Sequence, residues 1–324
     1  MPTRRTLIST LAALSAGSAV PRLAWTQSSF PDKPIRYVVP FAAGGLTDAM
    51  ARMIARGVGE SLGQPVVVDN KPGANANLGA DQVAKSAADG YTWLAVTLTH
   101  AVNPALFPQI SYSITQDLIP VVHLANSPLV LVIGAKNPAN DLATFLASAK
   151  GKTLNGGSSG NGTPPHLGLE LLALNSQLTV QHIPYKGGAP SLNDLLGGQL
   201  DFIVSNLPES IGHIQSGKLR ALAITSNARH PLLPQVPTFA QAGLNGMELE
   251  NWTAMMMPKH TPPDIVNKVA ASAIQTLQTP AVKDRLIQMG FAPTGLGPAE
   301  FDKLLQQDIA RWAQIVQQRG IRPN

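Results

Sequence analysis

The chain has 324 residues, 24 Lys and Arg against 19 Asp and Glu, 44% hydrophobic content and no cysteine. The missing thiols exclude disulfides, thiolate nucleophiles and zinc-thiolate sites. The basic residues form no stripe interleaved with aromatics, so nucleic acid is excluded as a partner, and beyond the N-terminus no run approaches the ~18 consecutive apolar residues of a membrane helix.

The first 26 residues read as an export signal. Arg4 and Arg5 precede an uncharged, Leu- and Ala-rich run from Thr6 to Val20, and Ala24 and Thr26 suit positions −3 and −1 of a cut before Gln27. Thr3-Arg4-Arg5-Thr6-Leu7-Ile8 fits a twin-arginine signal and a general secretory n-region alike, and either route predicts a periplasmic protein. Cleavage removes Arg4, Arg5 and Arg22 but no acid, leaving 21 basic and 19 acidic residues. The pI of about 9.5 thus partly reports the signal.

Beyond it, short apolar runs alternate with amphipathic stretches. Strand Ile35 to Phe41, helix Thr47 to Leu62, strand Val66 to Asp69, helix Leu78 to Ser86 and strand Tyr91 to Thr97 lead to a long extended stretch from Ile119 to Ile133. A second series follows: helix Leu142 to Ala149, strand Lys152 to Asn155, helix Pro164 to Asn175, strand Val180 to Pro184 and helix Ala189 to Leu196. Strand Asp201 to Val204, helix Glu209 to Ser216 and strand Leu219 to Thr225 complete it, before an extended return at Leu249 to Met257. The tail from Pro263 to Arg319 reads as helices broken by turns at Pro293 to Pro298, with no long strand, packing back on the first series. The alternation predicts an α/β protein of two lobes, each with a mixed, mostly parallel sheet, joined by two extended crossings. The expected division is residues 30–126 and 255–324 for one lobe and 127–254 for the other.

Ligands of open α/β sheets sit beyond the carboxyl ends of strands, which directs attention to the loops there. In Pro40-Phe41-Ala42-Ala43-Gly44-Gly45-Leu46-Thr47-Asp48, glycines precede a helix start whose free N–H groups favour an anion, and Thr47 and Asp48 can cap the helix or orient ligand oxygens. Gly156-Gly157-Ser158-Ser159-Gly160-Asn161-Gly162-Thr163 repeats the arrangement before Pro164-Pro165. Facing each other, two such loops would surround one acid with backbone donors; the alternative for each is an ordinary turn. Pro184-Tyr185-Lys186-Gly187-Gly188 adds a cation or a solvated turn lysine, and Ser205-Asn206 a hydroxyl and amide or a plain cap.

Gly156, Ser158 and Gly160 also spell G-x-S-x-G, the elbow of a secreted serine hydrolase, with Asp201, Asp264, His230 and His260 downstream. Against that reading, a stretch containing Gly162 and Pro164 separates Ser158 from its helix. The seven histidines show no metal-binding spacing, no phosphate-binding glycine motif is present, and no metal or cofactor is expected. Met255-Met256-Met257 reads as buried strand, and Trp252 as either hinge packing or a ligand cover.

Several ordered motifs carry a family resemblance: Pro40 to Asp48, Val67-Val68-Asp69-Asn70-Lys71-Pro72-Gly73-Ala74, Ala88-Asp89-Gly90-Tyr91-Thr92, Pro184 to Gly188 and Leu233-Pro234-Gln235-Val236-Pro237-Thr238. From about Phe30 to the C-terminus the chain resembles the Bug family of tripartite tricarboxylate transporter receptors. The resemblance implies a periplasmic binding protein of the Venus-flytrap type, closing on a small organic acid for membrane permease subunits, without catalysis. It implies that the loops matching Phe41, Ala43, Gly44, Gly45, Thr47 and Asp48, and Ser158, Gly160, Asn161, Gly162 and Thr163, grip a carboxylate through amides and waters. Thr97 matches a further ligand-side position, with His100 and Asn103 just beyond it. Lys186, Gly187, Ser205 and Asn206 complete the expected site, and the protein is expected to act as a monomer. Ser205 stands where many members carry an acid, which points away from an ammonium-bearing ligand and towards a plain or aromatic carboxylate.

Overall fold

The computed structural model describes residues 30–322, so the export signal expected at residues 1–26 lies outside the described residues. The first sheet is built from β1 (Ile35–Val39), β2 (Val66–Asn70) and β3 (Thr92–Thr97), with β1 parallel to both others. The apolar and β-branched residues of β1 and β3 suit strands covered on both faces, whereas β2, at the sheet edge, leaves Val67 exposed. The helices α1 (Leu46–Leu62) and α2 (Asn77–Ala84) connect them. A third helix, α3 (Leu98–Leu106), follows β3 directly. It is missing from the sequence reading because Thr, His, Asn and an internal Pro104 give it little helical signature.

The 17-residue strand β4 (Leu118–Gly134) belongs to both sheets. Its first part pairs antiparallel with β9 (Glu250–Pro258), which also pairs β3; its last part pairs with β7 (Phe202–Asn206) and β8 (Leu219–Ile224). The second sheet adds β5 (Thr153–Ser158), parallel to β7 and to β6 (Thr179–Pro184). Helices α4 (Leu142–Ala149), α5 (Pro164–Ser176), α6 (Gly188–Leu196) and α7 (Leu207–Gln215) connect the strands of this half. The strand order is β2-β1-β3-β9-β4-β7-β5-β6, so the two mixed sheets meet in one ladder at β4.

Two chain crossings join the halves, at Leu129 in β4 and just before β9. The buried Thr225 hydroxyl clamps both: it accepts from Leu129 N at 2.9 Å and donates to Leu249 O at 2.5 Å. Trp252 already pairs with Asn126 in the first sheet, and its indole donates to Asp308 at 2.7 Å. Of its two expected roles it takes the packing one, edge-on to Phe301. Met255, Met256 and Met257 are fully buried strand.

The tail returns to the first sheet as α8 (Pro263–Gln278), α9 (Pro280–Gln288) and α10 (Pro298–Arg319). The turn-rich break contains a short strand, β10 (Ala292–Leu296), antiparallel to β4. Pro293 and Gly295 hid it, being residues strands usually avoid. Among the described residues, no helix is long and apolar enough to cross a membrane.

Candidate functional site

Five helices begin around one point. The N-termini of α1, α3, α5, α6 and α7 follow β1, β3, β5, β6 and β7, and all five contribute to a cavity of about 40 Å3 between the two halves. Its wall comprises Phe41, Ala42, Gly45, Leu46 and Thr47 from the first loop, with Thr97 and Thr99 at the start of α3. Ser159, Thr163, Pro164, Pro165, Gly187, Gly188, Asn206 and Glu209 complete it from the other half, and Asn251 from β9. Each helix start carries about half a positive charge. No Lys, Arg or His lines the cavity, so the helix starts are its source of positive charge, set against the Glu209 carboxyl on the same wall. The volume suits about three waters or one carboxylate group.

Phe41, Ala42 and Ser159 also line a wider groove of about 1040 Å3, formed with Pro72 to Leu78, Leu106 to Ser111 and Pro184 to Lys186. Cavity and groove share these walls, giving room for the body of a ligand whose acid end lies inside. The halves are closed on each other here: Gly162 packs so tightly that an added Cβ would meet Leu106 at 2.6 Å and Asn75 at 3.1 Å.

Among the sequence-predicted residues, Phe41, Gly45, Thr47, Thr97, Thr163, Gly187 and Asn206 lie on the cavity. Gly160, Asn161 and Lys186 lie on the wider groove. Others are turned to different work. Asp48 is buried and accepts from Gly44 N, Arg52 Nε and Asn70 Nδ2, each at 2.9 Å. Burial opposes its ionisation, but these bonds outweigh it and hold the carboxyl below its ordinary value of 3.8. It fixes the loop from behind. Ala43 and Gly44 are exposed, away from the cavity. Ser205 is held in β7 opposite Val130, and its hydroxyl donates to Asn206 O at 3.2 Å.

Three amides of the second loop are spent within it or on the helix that follows. Gly160 N donates to Ser158 Oγ, Gly162 N to His166 Nδ1 and Thr163 N to Gly160 O, while Pro164 and Pro165 have no N–H. Ser159, one residue past the chosen serine, faces the cavity instead. Ser158 is fully buried and lies 2.6 Å from His182 Nε2, whose ring stacks on His166. Burial, with His166 beside it, pulls the His182 pKa down to about 4. The pair is a Ser–His contact sealed in the loop's interior, where it organises the turn.

Sequence reading missed Glu209 and Asn251. Glu209 reaches from α7 across the cleft, where Oε1 accepts from Leu46 N at 3.4 Å and Oε2 accepts from Asn206 Nδ2 at 3.0 Å. Burial raises its pKa against those two bonds. Its only sequence signal was the N-x-x-E spacing Asn206 to Glu209, which reads as an ordinary helix start. Thr99 Oγ1 and Asn251 Oδ1 are buried on the cavity without a hydrogen-bond partner. Among the described residues no group of three His, Cys, Asp or Glu could hold a metal ion.

Two α/β halves that share one long strand and close over a cavity ringed by helix N-termini define a periplasmic binding protein fold. A family model described as tripartite tricarboxylate transporter family receptor matches residues 50–321, and the chain belongs to that family. BugT of Bordetella pertussis is 39% identical over 310 residues, covering 94% of this chain and 94% of that protein. Among solved structures, Rpa4515 of R. palustris with adipate is 34% identical at a TM-score of 0.88, covering 91% of this chain and all of that one. MatC of Rhodopseudomonas palustris with bound malate is 33% identical at 0.84, covering 89% and 100%.

Proposed function

We propose that this receptor captures a small organic carboxylate in the cavity between its two halves and presents it to the membrane permease subunits of a tripartite tricarboxylate-type transporter. The convergence of five helix N-termini on a cavity without a basic side chain carries this reading, since such ends favour an anion. Adipate and malate in the two related structures are acids of the same class. The ligand's carboxylate meets the helix starts and threonines of the cavity, and its remainder extends past Phe41 and Ser159 into the groove near Lys186. Residues 30–128 and 250–322 form one moving lobe and 129–249 the other, with the Thr225 clamp near the pivot. The expected boundary at 254/255 falls inside β9, whose residues from Glu250 onward pair with the first sheet. Ligand binding stabilises the closed arrangement, and the permease recognises that closed surface. The protein works as a monomer in the periplasm after losing its N-terminal signal.

Catalysis by Ser158 is disfavoured, because its hydroxyl is enclosed and engaged with Gly160 and His182 rather than open to the cleft. A thermal-shift screen of the mature chain against mono-, di- and tricarboxylates, aromatic acids and amino acids tests the proposal. An acid at about 100 times Kd stabilises by about 2.7 kcal/mol. A clear shift with one acid and no turnover supports the receptor; hydrolysis abolished by Ser158→Ala defeats it.

A further inference from the structure

The cavity wall carries two kinds of group. Thr99 offers an unpaired hydroxyl and the helix starts supply backbone dipoles, whereas Glu209 and Asn251 offer acceptors. Glu209 is a carboxyl with no cationic partner among the described residues: both its oxygens accept, one from a backbone amide and one from a side-chain amide. An arriving cation favours its ionised form against the burial that raises its pKa. A carboxylate has about four lone-pair sites, so it retains acceptor capacity.

The second acceptor follows from the first. Because Glu209 Oε2 accepts here, Asn206 turns its Nδ2 toward it, at 3.0 Å. That leaves Asn206 Oδ1 to receive Asn251 Nδ2, also at 3.0 Å, and so Asn251 Oδ1 is left over. The relay settles an amide orientation that an isolated asparagine would leave open. Asn251 is 2% exposed, its Oδ1 has no partner, and it lines the same cavity as Glu209. A buried carbonyl acceptor without a donor, beside a carboxylate without a cation, is costly in the empty site, and a donor that arrives with positive charge satisfies both. A plain diacid satisfies neither and adds a like charge beside Glu209.

We propose that Glu209 and Asn251 form an amine-reading subsite, so that the acid captured by this receptor carries a protonated amino group close to its carboxylate. The inference rests on the cavity being the carboxylate site, as argued above. It reverses the expectation drawn from Ser205: the negative charge absent there stands one helical turn later, at Glu209.

Calorimetric titration of the mature chain with matched pairs tests it: aspartate against succinate, glutamate against glutarate, phenylalanine against 3-phenylpropionate. In at least one pair the amino acid binds more tightly, and Glu209→Gln cuts that preference roughly ten- to a hundredfold, the size of a lost bond to a charged group. Asn251→Ala narrows the same preference without removing a charge, and it serves should Glu209→Gln fail to fold. Equal or tighter binding of the plain acids by the unaltered protein overturns the subsite and leaves the carboxylate receptor standing. So does an equal loss for both members of a pair in the variants. If no member of any pair binds, the carboxylate reading falls as well.

Discussion

Replacing Asp48 with Ala removes the group that holds the first cavity loop from behind. Three hydrogen bonds to a buried carboxylate disappear, from Gly44, Asn70 and Arg52. They are unequal. Arg52 is 54% exposed and rehydrates, so its ion pair is worth well under ~1 kcal/mol. Gly44 is an exposed residue whose amide can rehydrate, and Asn70 keeps its bond to Phe41 O at 3.1 Å. The remaining loss is two bonds to a charged acceptor, partly compensated by solvent, which sets the cost at about 2–4 kcal/mol. Asp48→Asn keeps one acceptor and costs about half of that. Urea denaturation should therefore show a lower midpoint at unchanged slope, and ligand affinity should fall because Gly45 to Thr47 lose their backing. The pH dependence adds a check. The folded carboxyl titrates below 3.8, so its contribution is complete above that value and vanishes as pH falls through the folded pKa. A stability change below ~0.5 kcal/mol, or one that persists unaltered at pH 2, would refute this role for Asp48.

Thr99→Val should leave the ligand-free melting temperature within a few degrees, because its hydroxyl has no partner to lose, yet weaken acid binding about tenfold by titration calorimetry. Thr225→Val strands the buried Leu129 N–H at the crossing and should cost about 2–3 kcal/mol in denaturant unfolding, far more than the same change at an exposed threonine. Burial holds His100, His123 and His182 neutral down to about 4, against 6.5 when unfolded. The unfolded chain therefore takes up protons first, and stability, intact above pH 6.5, drains away as pH falls towards 4, by roughly 2 kcal/mol per histidine at pH 5. The raised carboxyls of Glu209, Glu250 and Asp308 offset part of this, since they keep their protons longer in the fold. A melting temperature flat between pH 7 and 5 contradicts that balance.

Much of the fold was legible because hydrophobic runs and glycine-rich turns recur with the βα period, and the chain's long extended stretch stood out as β4. The exceptions have local causes. Leu98 to Leu106 forms a helix because its apolar face packs under α10, a tertiary contact that overrides weak intrinsic preference. The short strand at Ala292 is defined by its partner β4, not by its own residues. In the site, the loops were legible and the side chains less so. Ser158 and Ser159 lie at the end of a strand, where adjacent side chains point to opposite faces, so Ser158 turns inward and Ser159 toward the cavity. Glu209 was hidden because it acts across the cleft: it bonds Leu46, 163 residues away in sequence, and no local pattern announces that meeting.

The most direct test of the central claim is a crystal structure of the mature protein with the acid that stabilises it best. A carboxylate is expected in the cavity between Thr99, Thr163 and the start of α1, with oxygens about 2.7–3.2 Å from their donors and the rest of the molecule leading past Phe41. An acid lodged only on the outer surface, or a covalent adduct on Ser158, contradicts it.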